Sequence, residues 1–202
     1  GNRRYHVSHL STKGSVELVR RAKADGQRIT SEVTPHHFSL TCELLSSYDT
    51  NLKMNPPLRE EDDRMAVING LKDGTIDCIA SDHAPHTLYD KEVEYERAPN
   101  GIIGLETSLG LALTNLVHAG HLTVNELVEK MSCNPRKLLN LPEITFESGA
   151  CANMVVFAPD EEWIVNKNAF KSKSDNMPFD GMKLKGKPKY SVNNGKIYKS
   201  SL

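Results

Sequence analysis

Within Ser81-Asp82-His83-Ala84-Pro85-His86 the chain gathers a carboxylate and two imidazoles. These groups bind divalent metals and move protons near neutral pH, so the stretch has the means for metal-assisted hydrolysis or general acid–base work. It follows Ile76-Asp77-Cys78-Ile79-Ala80, a short apolar run with β-branched residues that reads as a buried strand. A carboxylate at the C-terminal end of a buried parallel strand is where a (β/α)8 barrel carries its catalytic groups. Pro85 ends further pairing and residues 87–95 turn polar, which puts Asp82 and His86 at a mouth rather than in a core. Taken alone, Asp82 serves equally well as a turn residue capping a backbone amide.

The second candidate is His9, which closes the first apolar run, Tyr5-His6-Val7-Ser8-His9-Leu10. If both runs are parallel strands of one barrel, their C-terminal ends open onto the same face and His9 and Asp82 converge there. Histidine and aspartate are ordinary zinc ligands, but a catalytic zinc takes about three protein ligands plus water. Spacing alone favours a structural His9. His6 is expected on the opposite face of the strand.

The elements that must position these residues alternate in type. Val16, Leu18, Val19 and Ala22 give a helical stripe that ends near Asp25 and Gly26. Ile29 to Val33 alternates as a second strand, and Pro35 marks its end before His36 and His37. Leu40 to Arg59 is irregular, and Pro56-Pro57 stiffens the backbone beside Asn55. Glu60 to Lys72 is a helix with Met65, Ile68 and Leu71 on one face, closed by Asp73-Gly74. This order predicts right-handed βαβ units. Lys91 to Arg97 reads as a charged loop and Ala98-Pro99-Asn100-Gly101 as a turn with exposed amides. Leu105 to His118 is an apolar helix, and Leu122 to Met131 another, with Thr123 and Glu126 as a capping box. Asn134-Pro135 opens a short helix to Asn140. From Gly149 the pattern becomes β: strands at residues 153–157 and 163–165, and a hairpin arm after Asn194-Gly195. The expected division is a barrel portion, residues 1–148, and part of a small β-sandwich domain, residues 149–202.

Composition excludes several classes. Over 202 residues, 38% hydrophobic and 25% charged content describe a soluble globular protein of modest apolar content. A net charge of -1 implies no broad attraction to nucleic acid or anionic membrane. No apolar run approaches the ~20 residues that span a bilayer. The four cysteines are scattered without a CxxC pair, which suits reduced thiols in a cytoplasmic protein. Three strands cannot close a barrel, so the chain is expected to be the C-terminal portion of a larger protein or one piece of a nicked one.

Four motifs carry a family resemblance. His9-Leu10-Ser11-Thr12-Lys13, Glu32-Val33-Thr34-Pro35-His36-His37, Lys53-Met54-Asn55-Pro56-Pro57-Leu58-Arg59 and Ser81-Asp82-His83-Ala84-Pro85-His86 closely resemble dihydroorotases of the type I, bacterial branch of the amidohydrolase superfamily. The resemblance is collinear from Tyr5 to about Leu141. It implies an α/β fold comprising strands six to eight of a (β/α)8 barrel, with the tail of a β-sandwich. It implies reversible, zinc-dependent interconversion of dihydroorotate and N-carbamoyl-L-aspartate in pyrimidine synthesis, with one or two zinc ions. His9 and Asp82 match metal ligands, and Asp82 also matches the general base and acid. Asn55, His86, Asn100 and Gly101 match substrate-binding positions, the last two through their backbone. His36, His37 and His83 are expected as packing or neighbouring histidines. The family's HxH pair, its strand-four carboxylate or carbamylated lysine and its strand-five histidine have no counterpart in the sequence. Asn100 stands where members commonly carry phenylalanine.

Partners implied are the small-molecule substrate, the N-terminal half of the barrel, and either a second copy or a carbamoyltransferase. The rival readings are another cyclic amidohydrolase, such as an allantoinase, and a non-catalytic scaffold half.

Overall fold

Strands β1 (Tyr5–Val7), β2 (Ile29–Val33) and β3 (Cys78–Ile79) form a parallel sheet in that order in the computed structural model, which describes residues 3–202. Tyr5 pairs with Ile29 and Glu32 with Cys78. Parallel neighbours need crossovers, and α1 (Lys13–Ala24) and α3 (Glu61–Asp73) provide them, with the short α2 (Pro35–Ser39) between. Thr12 and Ser15 form a capping box at the start of α1. The α1 backbone at Lys13 also donates to Asp63 in the first turn of α3, at 2.7 Å. Of the expected stripe on α1, Val16 and Val19 are buried, but Leu18 is 67% exposed. Asp77 locks the crossover to the sheet: Lys23 Nζ and the Ser31 N–H both reach its carboxylate at 2.8 Å.

After β3, α4 (Leu88–Lys91) opens the region expected as a charged loop. The apolar helix begins later than expected, as α5 (Ser108–Ala112), and widens into a π-type turn over Leu113–Val117. Next, α6 (Val124–Val128) runs through a second π-type turn, Glu129–Cys133, straight into α7 (Asn134–Leu138). Pro135 therefore lies within a continuous helical run rather than at an isolated start. The widened turn is the local adjustment that accommodates a residue with no N–H to donate. Lys130 Nζ donates to Ile76 O at 2.7 Å, fastening this run to the chain entering β3.

A second sheet is antiparallel: β4 (Met154–Ile164), β5 (Lys183–Asn193) and β6 (Lys196–Lys199), in that order. The expected strands at 153–157 and 163–165 prove to be one long strand interrupted by register shifts. Strand β5 is the first arm of the expected hairpin, but its extent, back to Lys183, was not expected. The Asn194-Gly195 turn is present, with φ of 49° and 73°.

Two apolar cores hold these layers. One, beneath the parallel sheet, contains Val16, Val33, Phe38, Ile68, Leu113 and Leu116. The other joins both sheets' surroundings, with Leu52, Ile103 and Leu111 against Trp163, Phe179 and Leu184. Each such side chain contributes about 1.5–3 kcal/mol when fully buried. Close approach at the seam needs a glycine: a Cβ on Gly186, at φ +89°, would lie 2.2 Å from Leu113 Cδ1. All four cysteines are free. Among the described residues, no helix is long and apolar enough to cross a membrane.

Candidate active site

The ends of the parallel strands bring the chemistry together. His9 follows β1 with φ +54° and Asp82 follows β3 with φ +48°, so both leave the sheet on left-handed backbone. That conformation costs a non-glycine residue energy and turns both side chains off the strand alternation. His9 Nε2 then lies 3.7 Å from Asp82 Oδ1, with both side chains 26% exposed. The convergence expected of two parallel strand ends is therefore realised.

Glu32, on β2 between them, is a residue the sequence reading gave no role. Its Oε1 lies 3.1 Å from His9 Nδ1 and its Oε2 3.2 Å from His6 Nε2. His6 was expected on the far face; instead it reaches the same carboxylate as His9, and its Nδ1 meets Thr30 Oγ1 at 2.8 Å. The reason is the early end of β1 at Val7, after which strand alternation no longer relates residues 6 and 9. The Glu32 carboxylate is the one group that meets the buried His9 Nδ1 among the described residues, at ion-pair distance but off the ideal hydrogen-bond angle. The contact with Glu32 raises the His9 imidazole above its ordinary value; burial opposes this and Asp82 adds to it. Burial pushes the Asp82 carboxyl up, against the pull of His9. The available signal for Glu32 was a carboxylate next to the C-terminal end of β2, between the strands that lead to His9 and Asp82.

A rim of loops stands beside this edge. His86 Nε2 donates to Asn100 O at 2.9 Å. The Gly101 N–H donates to Lys53 O at 2.9 Å, so of the Asn100-Gly101 pair this amide is engaged within the chain. Gly101, at φ +111°, is sterically required, because a Cβ there would sit 2.5 Å from Ala84 Cβ. Lys53 Nζ donates to Tyr95 O and Glu96 O, both at 2.8 Å. Lys91, expected in a solvated charged loop, is only 5% exposed and donates to Thr50 O at 3.0 Å and Pro99 O at 2.9 Å. Both lysines thus clamp the irregular stretch carrying Asn55 to the loop carrying Asn100. Asn55 itself is exposed.

His36 and His37 are buried behind the rim, as packing histidines should be. His37 Nε2 donates to Pro56 O at 2.8 Å and its Nδ1 accepts from Thr34 Oγ1 at 2.7 Å. Burial holds the His37 imidazole down at about 4 and His36 well below its ordinary value. His83 Nδ1 accepts from the Gly104 N–H at 3.1 Å and is a neighbour of the edge.

The donor chemistry of His9 and Asp82 fits a zinc ion from one side. Among the described residues, no group of three histidine, cysteine, aspartate or glutamate side chains is arranged to hold a metal.

The sequence matches the family model of the Amidohydrolase family over residues 2–198. The chain belongs to the amidohydrolase family. Among curated amidohydrolase relatives, it is 52% identical over 191 residues to a dihydroorotase of Clostridioides difficile, covering 95% of this chain and 45% of that protein. It is likewise 52% identical over 192 residues to a dihydroorotase of Caldanaerobacter subterraneus, covering 95% and 44%. The chain thus spans somewhat less than half the length of these relatives, matching their C-terminal part. Among solved structures, an L-hydantoinase (dihydropyrimidinase) from Arthrobacter aurescens matches with a TM-score of 0.91 and 32% identity, over 99% of this chain and 46% of that one. A dihydropyrimidinase from Brevibacillus agri matches with a TM-score of 0.91 at 22% identity, over 99% and 46%, a likeness of fold.

Proposed function

We propose that this chain supplies the Asp82 side of a dihydroorotase site, acting in the reversible hydrolysis of dihydroorotate to N-carbamoyl-L-aspartate. The observation that carries the reading is the convergence of His9 Nε2 and Asp82 Oδ1 at 3.7 Å on two strand ends. It is supported by the dihydroorotase relatives at 52% identity. In this reading the parallel sheet is part of a (β/α)8 barrel, within residues 1–148, and residues 149–202 are the end of a β-sandwich domain. The remaining ligands and strands come from the N-terminal half of the barrel. The complete enzyme is cytoplasmic and works as a homodimer or beside a carbamoyltransferase.

His9 and Asp82 would hold zinc, which when bound polarises the ring amide carbonyl and acidifies water. Glu32 holds the His9 ring so that Nε2 faces Asp82. Asp82 accepts the proton of the attacking water and returns it to the departing ring nitrogen. Asn55, His86 and the backbone of Asn100-Gly101 bind the substrate's amide and carboxylate, the Asn100 N–H serving there because the Gly101 N–H is held by Lys53 O. The test is turnover of dihydroorotate, allantoin and hydantoin by the complete zinc-loaded protein. Hydrolysis of dihydroorotate at least ~100-fold faster than of the others is expected. A preference for either other ring would overturn the assignment, and failure on all three would favour a scaffold.

A further inference from the structure

One side chain of the C-terminal segment reaches into the rim. Asn176 lies between β4 and β5 and is 4% exposed. Its Oδ1 accepts from the His86 N–H at 3.1 Å. Its Nδ2 donates to Ala84 O at 3.1 Å and Gly101 O at 3.2 Å. Its own carbonyl accepts from the Ile103 N–H at 3.0 Å. Ser174 Oγ lies 2.6 Å from Asn176 Oδ1 and also within bonding distance of His86 O, so its single proton serves one of them at a time.

The partners fix which way the amide faces. A backbone N–H can only donate and the two carbonyls can only accept, so the oxygen must meet His86 and the nitrogen Ala84 and Gly101. Asparagine matches this demand of one acceptor and two donors on a short planar group. Aspartate would set a negative oxygen against two carbonyl oxygens, and alanine would leave three backbone groups without these partners. The groups so tied are not scattered. Ala84 and His86 belong to the segment leaving Asp82, and Gly101 to the opposite wall, joined to it by the parallel bridge of His83 with Ile102. The walls touch where Gly101 faces Ala84, and the Asn176 amide crosses that line of contact.

We propose that Asn176 is a positioning residue for the substrate-binding rim: it sets the spacing between His86 and Asn100-Gly101, and so how both are presented to substrate. The proposal rests on the dihydroorotase reading, in which those residues contact the ring. It gives the antiparallel part of the chain a task in the site itself.

Asn176→Asp and Asn176→Ala in the complete zinc-loaded protein test it, with kinetics, zinc content and amide exchange measured together. KM for dihydroorotate should rise at least ~fivefold, and by more than kcat falls, with zinc stoichiometry unchanged. Amide exchange at Ala84, Gly101 and Ile103 should accelerate ~tenfold or more in both variants, and at His86 in the alanine variant, while α1 and α3 keep wild-type protection. If the alanine variant does not fold, the aspartate variant, which keeps shape and the acceptor for His86, decides. Wild-type KM in a folded variant would overturn the proposal, as would acceleration spread equally over α1 and α3. If the wild-type protein does not hydrolyse dihydroorotate, the functional reading fails by itself, and exchange at the rim still judges Asn176: no change there overturns it.

Discussion

The rim and the donor edge are finished differently. At the rim, His86, Lys53, Lys91 and Gly101 each find a backbone partner within 3.0 Å. At the edge, His9 and Asp82 sit on left-handed backbone 3.7 Å apart, and His9 Nδ1 meets the Glu32 carboxylate only off the ideal hydrogen-bond angle. Side chains anchored on backbone carbonyls resist opening and keep a shape; a half-buried pair of donors held apart on strand ends is where a ligand or a proton can enter. The contrast assigns shape to the rim and reactivity to the edge.

The sharpest way to break that division is at Asp82. Asp82→Asn keeps the size and one oxygen but removes the proton acceptor. Turnover of the complete enzyme should fall by about 10²–10⁴ with zinc content little changed. A variant keeping more than about a tenth of wild-type turnover would remove Asp82 from the proton path.

The rim's shape can be loosened by acid instead, because the buried His37 behind it accepts from Thr34 Oγ1 only while neutral. Its imidazole is held at about 4 in the fold against an ordinary 6.5. The unfolded chain therefore takes up this proton first. The stability that neutral His37 provides is intact above about pH 6.5 and is lost as pH falls towards 4. The full swing is about 3 kcal/mol as an upper bound, and His36 moves in the same direction. Thermal melts across that window should show the loss, and His37→Gln, which keeps a donor for Pro56 O, should flatten it. Superimposable profiles for variant and wild type would show that His37 is not the group titrating.

The same contrast governs how much of the molecule could be read in advance. The parallel order was legible because each apolar run ends in strong punctuation, Pro35 and Pro85 among it. His9 and Asp82 were legible as strand-end residues. The rim's clamps were not: Lys91 looks like any loop lysine, and Asn176 meets His86 across 90 residues of chain. The length of strand β5 hid because Lys183, Lys185, Lys187 and Lys189 alternate with residues of modest hydrophobicity, the signature of a solvated face rather than of a core strand. The merging of α6 and α7 hid because a proline reads as a boundary, and only tertiary packing decides that a widened turn absorbs it.

The finest test lies at Glu32, where edge and frame meet. Glu32 touches both His6 and His9, and the two contacts pull its carboxyl below its ordinary value even though burial pushes it up. It is therefore charged in the fold, and a charged carboxylate at Nδ1 orients a histidine and makes its other nitrogen a better ligand. Glu32→Gln keeps the length and one acceptor oxygen but removes the charge. Zinc affinity of the complete protein, measured by competition with a chelator, should weaken about 10–100-fold. With zinc in excess, kcat should stay close to wild type, because Asp82 and the rim are untouched. An unchanged affinity would mean that Glu32 only packs between the two histidines. A kcat that stays low at saturating zinc would mean that it acts on the proton as well, and the edge would then need three residues where two are assigned.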